Sequence, residues 1–362
     1  MGYVICFINE MRILFLPKYD IDGASSRYRT YQYLSGFNMK YKVSSFFPYG
    51  YIGKMNKMKY KVAYAIYSIM RRIVIVASQS YKYDLIVIEK ELIPYFPPIL
   101  EYILHLCHKK FVLDFDDAIY INYVCHNFSL IRWLFGRKIP YIASWASGIT
   151  TGSPELTSYL LSFNSNIIEI PTSIDLDKYK LYSPKPTNKY VIGWIGSRST
   201  SKHLDTIAEV LLRFISYHKE AELHLIGYYG TAFRNAERVL LIPWNAKTEF
   251  HEMLQFHVGL MPLIDLPFEH GKCGFKLVQY MACAKPTIST PFPANVKIDG
   301  GNGNLFASTS EEWFISLETV CSKRFFYENV GRRNRLCVER NYSIQMNQNK
   351  YLEFFKLIVD LQ

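Results

Sequence analysis

G-L-M-P-L-I-D-L-P-F-E-H-G-K-C-G-F-K-L-V-Q-Y-M-A-C-A-K-P-T-I-S-T, residues Gly259–Thr290, holds in order a short apolar run, a polar loop with two glycines, a helix-compatible stretch and a second apolar run. Two short apolar runs joined by a helix form a crossover unit, and the strands of such a unit lie parallel. The helix is expected to begin near Phe275. The loop feeding it sets Gly271 and Gly274 where a backbone without side chains can approach a ligand closely. Free N–H groups at the start of that helix attract an anion such as a diphosphate, and Lys272 and Lys276 add positive charge there. An ordinary loop with an amphipathic helix and solvated lysines has the same local pattern.

The alternation continues on both sides of this stretch. Strand-like runs occur at Y-V-I-G-W-I-G-S, Glu222–Gly227, Val239–Pro243 and Val258–Pro262. Before them come M-R-I-L-F-L-P, Asp84–Glu89, Lys110–Leu113 and Gly148–Thr151, with helix-compatible segments between. This is the pattern of parallel α/β sheets, and it restarts after the polar, proline-bearing stretch Tyr182–Lys189. Two Rossmann-like domains are therefore expected, over residues 1–184 and 185–342. Residues 343–362, with Tyr351, Phe354, Phe355 and Ile358 at helical spacing, are expected to form a terminal helix.

A chain of 362 residues with 49% hydrophobic and 20% charged residues has the composition of a globular protein, which excludes a disordered one. The seven cysteines (Cys6, Cys107, Cys125, Cys273, Cys283, Cys321 and Cys337) form no C-x-x-C pair and read as reduced. The first ten residues lack the basic start and small-residue cleavage site of a secretory signal, Met11 is an alternative start, and a cytoplasmic address is expected. Arg71 and Arg72 interrupt the longest apolar candidate for a membrane span. Residues 23–83 contain eleven Lys or Arg and no Asp or Glu, matching the whole net charge of +11. There Lys54, Lys57, Lys59, Lys61, Arg71 and Arg72 alternate with Met55, Met58, Tyr60, Val62, Ile66, Ile69 and Met70. That pattern suits a basic amphipathic helix lying on an anionic membrane surface at the inner leaflet, and equally an ordinary helix with a solvated cationic face. No nucleic-acid recognition motif accompanies the charge.

The tail Q-Y-M-A-C-A-K-P-T resembles the E-A-M-A-x-G-x-P-V ending of the E-x7-E motif of glycosyltransferase family 4 and its relatives. In that alignment Gly271 stands in the first glutamate slot and Gln279 in the second, so both motif glutamates are absent; Glu269 lies two residues before the first slot. The resemblance implies that Gln279 meets the nucleotide ribose through its carbonyl oxygen. G-W-I-G-S-R-S-T-S-K-H-L resembles the family's G-R-x-x-x-x-K segment, whose Arg and Lys bind the leaving diphosphate. Lys202 takes the lysine slot, and Ser197 takes the arginine slot with Arg198 beside it. L-I-G-Y-Y-G, F-P-A-N-V-K-I-D-G-G-N-G-N-L-F, T-T-G-S-P-E-L and P-T-S-I-D resemble further family segments, so the likeness spans nearly the whole chain.

The resemblance implies a GT-B fold, with two Rossmann-like domains facing a central cleft and the C-terminal helix returning to the N-terminal domain. It implies a retaining, metal-independent, hexosyltransferase-like enzyme with no cofactor, since the nucleotide sugar is a substrate. The acceptor is then a glycan or lipid-linked molecule, with bacterial surface polysaccharide as a destination. Lys202 and Lys276 would meet the phosphate, and Gly23, Phe275 and Leu277 would also line the donor. D-G-A-S-S-R-Y-R occupies the position of the family's glycine-rich loop after strand one, and Arg27 and Arg29 would meet donor phosphate or an anionic acceptor. V-L-D-F-D-D-A follows a strand and so sits at the carboxyl edge of a sheet. Its three carboxylates, Asp114, Asp116 and Asp117, look like a metal site. GT-B enzymes work without bound metal, so Asp116 and Asp117 are expected to meet sugar hydroxyls or the acceptor, or one of them to cap a helix. The alternative from another class is a GT-B-like binding protein that lost catalysis with the glutamates.

Overall fold

The computed structural model describes residues 11–51, 58–182 and 188–360, with the side chains of 58–61 excepted. The chain divides into two compact units. The first comprises Met1–Thr172, Gly271–Cys273 and Ile344–Gln362, and the second Ser173–His270 and Gly274–Ser343. The expected division after residue 184 therefore falls earlier, after Thr172. The terminal helix, Ile344–Asp360, belongs to the first unit.

In the first unit the strands are β1 (Arg12–Leu16), β2 (Lys40–Val43), β3 (Leu85–Glu89), β4 (Phe111–Phe115), β5 (Gly148–Thr151) and β6 (Ile167–Glu169). All neighbours pair in parallel, in the order β2-β1-β3-β4-β5-β6. β3, β4 and β5 are buried throughout, which explains their near-continuous apolar sequences. On one face Leu14, Ile86, Ile88, Leu113 and Ile149 meet four helices: α1 (Met58–Gln79), α2 (Ile99–Leu106), α3 (Ser129–Phe135) and α4 (Lys138–Trp145). On the other face Ile13, Phe15, Leu85, Val87 and Val112 meet Tyr33 and the terminal-helix residues Tyr351, Phe354, Phe355 and Ile358. The helical run after β1 is built from Ala24–Ser26, Arg27–Tyr31 and Gln32–Leu34, and its middle part is π-helical.

The second unit has β7 (Tyr190–Ile195), β8 (Ala221–Ile226), β9 (Val239–Ile242), β10 (Val258–Met261), β11 (Thr287–Ser289) and β12 (Leu305–Phe306). Their order, β12-β11-β10-β7-β8-β9, is also parallel throughout. Read from the other edge it is 3-2-1-4-5-6, the dinucleotide-fold order, with β7 at the centre. Ile192 and Trp194 face one core layer, while Val191 and Ile195 face the other. The helix Ser310–Ser322 starts with a capping box, in which Thr309 and Glu312 satisfy each other's backbone N–H groups. Among the described residues no helix is long and apolar enough to cross a membrane.

Candidate functional site

Chain order reverses in the second sheet between β7 and β10, so ligand-binding loops are expected at the carboxyl ends of those strands. β7 leads into Gly196, where a Cβ would lie 2.1 Å from the Trp194 ring. The following loop is tied to itself. Ser197 N–H donates to Thr200 Oγ1 at 2.8 Å, and Ser201 Oγ donates to Ser197 O at 3.0 Å. Lys202, on the helix Ser201–Asp205, places its Nζ 3.0 Å from Glu269 Oε1. The lysine side chain is 52% exposed and the glutamate 4%. His203 Nε2 lies 3.6 Å from the same oxygen, and its Nδ1 accepts the Ile264 N–H at 3.3 Å, so a neutral ring carries its proton on Nε2, facing the glutamate. Glu269 thus aims a half-exposed ammonium at the switch point.

The helix Phe275–Ala282 begins after Gly274, whose φ of 62° is a left-handed conformation that favours glycine and whose Cβ would lie 2.4 Å from Ile298 Cδ1. Lys276 holds its Nζ 4.5 Å from the centroid of the Trp194 ring. Gln279 is buried and its amide donates to Tyr179 Oη at 3.3 Å. Leu277 is a core residue, Phe275 packs beside that core, and Arg198 lies over the Tyr229 ring.

In the first sheet the reversal lies between β1 and β3. Glu89 ends β3, and Lys90 follows it at φ 65°, a region costly for a residue with a Cβ and common at functional sites. Lys90 Nζ lies 2.7 Å from Asp116 Oδ1 and 3.1 Å from Asp117 Oδ2. Ser25 Oγ stands between Glu89 Oε1 and Asp116 Oδ2 and can donate to either. Glu89 Oε2 also accepts from Ser26 Oγ at 2.6 Å and from Lys18 N–H at 3.0 Å. Burial raises Glu89 above the usual carboxylate range. Burial acts in the same direction on Asp116, but there the charge and hydrogen bond of Lys90, with the Ser25 hydroxyl and the charge of Arg29, together outweigh it and hold the group low. The two carboxylates bridged by Ser25 are therefore driven apart, Glu89 upward and Asp116 downward.

The family model described as Glycosyl transferases group 1 matches residues 189–322, which belong to the second unit except for Gly271–Cys273. The fold is GT-B, and the second unit is a glycosyl transferases group 1 domain. Solved structures share this GT-B fold at low identity. Sucrose-phosphate synthase of Thermosynechococcus elongatus superposes with a TM-score of 0.72 at 10% identity, over 96% of this chain and 99% of that one. A glycosyltransferase of Rickettsia africae gives 0.68 at 13%, over 98% and 100%. HepE of Anabaena, solved in complex with UDP-glucose, gives 0.66 at 14%, over 96% and 100%. No curated protein matches the sequence significantly.

Several residues of this GT-B chain lie elsewhere than the sequence suggested. Arg29 is not available to an anionic ligand, because it is buried with its fork on Asp114, Nε to Oδ2 at 3.0 Å and Nη2 to Oδ1 at 2.5 Å, while Nη1 donates to Ile170 O. Arg27 sits against the Tyr28 ring, and Gly23 admits close approach of Tyr19. Gly271 and Lys272 do not share a unit with Gly274–Gln279. Gly271–Cys273 belongs to the first unit, where a Gly271 Cβ would lie 2.5 Å from Ala118 Cβ and Ser153 Oγ donates to Gly271 O at 3.2 Å. Arg72 is buried too, donating to Pro17 O at 3.0 Å, which removes it from the expected cationic surface. Lys54 and Lys57 and the side chains of Lys59 and Lys61 lie outside the described residues. The three aspartates are held by cations of the chain, Asp114 by Arg29 and the other two by Lys90. Sequence reasoning missed His203, Glu89 and Lys90. The signal for the last two was L-I-V-I-E-K, a buried strand ending in two opposite charges.

Proposed function

We propose that this GT-B chain is a retaining glycosyltransferase that moves a hexose-like sugar from a nucleotide-sugar donor to a glycan or lipid-linked acceptor at an anionic membrane surface, in bacterial surface polysaccharide synthesis. The observation that carries the reading is the Lys202 ammonium, aimed by buried Glu269 at the switch point of a glycosyl transferases group 1 domain. HepE, of the same fold, is solved with UDP-glucose.

In this reading the donor diphosphate sits by Lys202, Lys276 and the N–H groups that follow Gly274, which stabilise charge as the bond from the anomeric carbon to phosphate oxygen breaks. The acceptor hydroxyl oxygen bonds to the anomeric carbon on the same face, and its proton passes to the departing phosphate oxygen. Atoms and charge balance without a protein nucleophile. Asp117, partly exposed beside Lys90, orients acceptor hydroxyls. No metal is needed, because lysines supply the positive charge.

A panel of nucleotide sugars screened for thermal protection, followed by transfer and hydrolysis assays with the stabilising donor, tests this. Transfer that persists in excess chelator is the expected result. Protection without turnover would leave a binding protein, and loss of activity restored by manganese would make Asp114, Asp116 and Asp117 metal ligands.

A further inference from the structure

Two helices on one face of the first sheet carry large apolar residues on their outer sides as well as their inner ones. In α2, Leu100 and Leu104 turn toward the core while Ile99, Tyr102, Ile103 and Leu106 turn to solvent. In α3, Ile131 and Phe135 point inward while Leu130, Trp133 and Leu134 point outward; Trp133 is 80% exposed and Phe128, just before the helix, 71%. A helix of this composition is normally buried on every side or set against lipid. The surface is continuous. α1, α2, α3 and α4 cover the same sheet face, and Tyr102 of α2 and Tyr141 of α4 both pack on Trp145, at 5.1 and 5.9 Å between ring centroids. On α1, Val62, Ile66, Met70 and Val74 recur every fourth residue on the solvent side, while Ile69, Ile73 and Val76 pack inward.

Charge decides what covers this face. The sequences of α1–α4 contain a single acidic residue, Glu101, and it is buried with its carboxylate accepting the Leu92 N–H. The exposed ionisable groups on and beside the helices are basic: Arg132, Arg137, His105 and His108. Arg132 donates to the carbonyls of His126 and Asn127, which leaves its charge uncancelled. We infer that the outer surface of α2–α4, extended by α1, docks on an anionic lipid bilayer, with Phe128, Leu130, Trp133 and Leu134 entering the acyl boundary and Arg132 and Arg137 meeting headgroup phosphates. Apolar bodies rimmed by cations and by Trp and Tyr suit the bilayer interface. A second copy of the chain fits poorly, because a two-fold contact would set the arginines of one cationic face against those of the other. The inference moves the membrane contact from the basic segment at 54–61 to the aromatic one at 128–137. It deepens the reading of a membrane-side acceptor, yet binding is measured without donor or acceptor, so its failure leaves the transferase reading standing.

The experiment floats the full chain with vesicles of phosphatidylcholine alone or mixed equally with phosphatidylglycerol. Binding is expected only to the mixed vesicles. Trp133→Ser with Leu134→Ser should lower the bound fraction at least tenfold, and so should Arg132→Glu with Arg137→Glu, with unchanged melting temperatures. Trp133→Phe serves as a folded control that keeps binding but loses the fluorescence quenching that brominated lipids cause in the parent. Binding indifferent to both double variants overturns the assignment, as does failure of the parent to float. A parent that sediments as a dimer, and becomes monomeric in Trp133→Ser, would assign the face to a second copy instead.

Discussion

Lys202 and Lys276 differ in how the chain holds them. Near the carboxyl end of β7, one rests on a carboxylate and the other on an indole. Replacing either by alanine is expected to lower kcat/KM by about 100-fold, the scale of a group that meets developing charge, with little change in melting temperature. Kinetics and calorimetry on the same preparations check this, and near-parental turnover in both variants would remove them from the donor site. Lys90 is a different case, because it is buried itself and neutralises the largely buried Asp116. Lys90→Met should cost roughly 3–5 kcal/mol, the usual penalty of stranding a buried charge, and a denaturant titration showing less than about 1 kcal/mol would contradict that. The position of Lys202, on a helix that follows β7 and its glycine-bearing loop, was legible from G-W-I-G-S-R-S-T-S-K. Arg29 was not. Its place after strand one, beside Arg27, suggested a partner for donor phosphate or an anionic acceptor, but the π-helical stretch Arg27–Tyr31 widens the turn and shifts the side-chain register, and Asp114, which holds Arg29, lies far along the chain.

At the level of strands and helices, the central strands could be read and the edges could not. β3, β4 and β7 are buried throughout and mostly apolar, whereas β2 reads K-Y-K-V and is largely exposed, so its alternation carries no core signal. β12 spans only Leu305–Phe306. Helix ends were clearer where a cap is encoded, as in S-P-E-L, where Ser153 Oγ accepts the Leu156 N–H. β7 also has a titratable partner. His257 Nδ1 accepts the Val191 N–H at 3.0 Å, which requires a neutral ring, and burial, then Lys285 and Arg324, hold its pKa down to about 4 from 6.5. Between those values the unfolded chain takes up the proton that the folded chain refuses. Stability is therefore full above about pH 6.5 and falls as the pH drops toward 4, by up to about 3 kcal/mol. His257→Asn, which keeps an acceptor and cannot titrate, should flatten that part of the stability curve. Parallel curves for variant and parent would show that His257 is not responsible.

Over the whole chain, two sheets of parallel strands were legible from the restart of the strand–helix alternation after Tyr182–Lys189. The division after Thr172 was not, because the proline-bearing stretch lies inside the range of the second unit rather than at the boundary between units. Ile344–Asp360 is structurally part of the first unit, and at Gly148 a Cβ would lie 2.6 Å from Ile358 Cδ1, so helix and β5 are packed without spare room. A chain ended after Tyr342 is expected to leave residues 11–172 sensitive to limited proteolysis while residues 188–342 resist it. Equal resistance of both would show the helix to be dispensable.

That packing sets an order for biosynthesis. The first unit emerges from the ribosome early, but Ile13, Phe15, Leu85, Val87 and Val112, partly covered by Tyr33, Leu34 and Phe37, lack the rest of their cover until the last helix has been made. At elongation rates of about 5–20 residues per second, the delay is on the order of ten to forty seconds. Through that interval the nascent chain displays a partly uncovered sheet face, which makes it a client for chaperones that bind apolar surface at the tunnel exit. Its vulnerability to aggregation is thus set by the time taken to translate the second unit, and slowing translation there should lower the soluble yield of the whole protein.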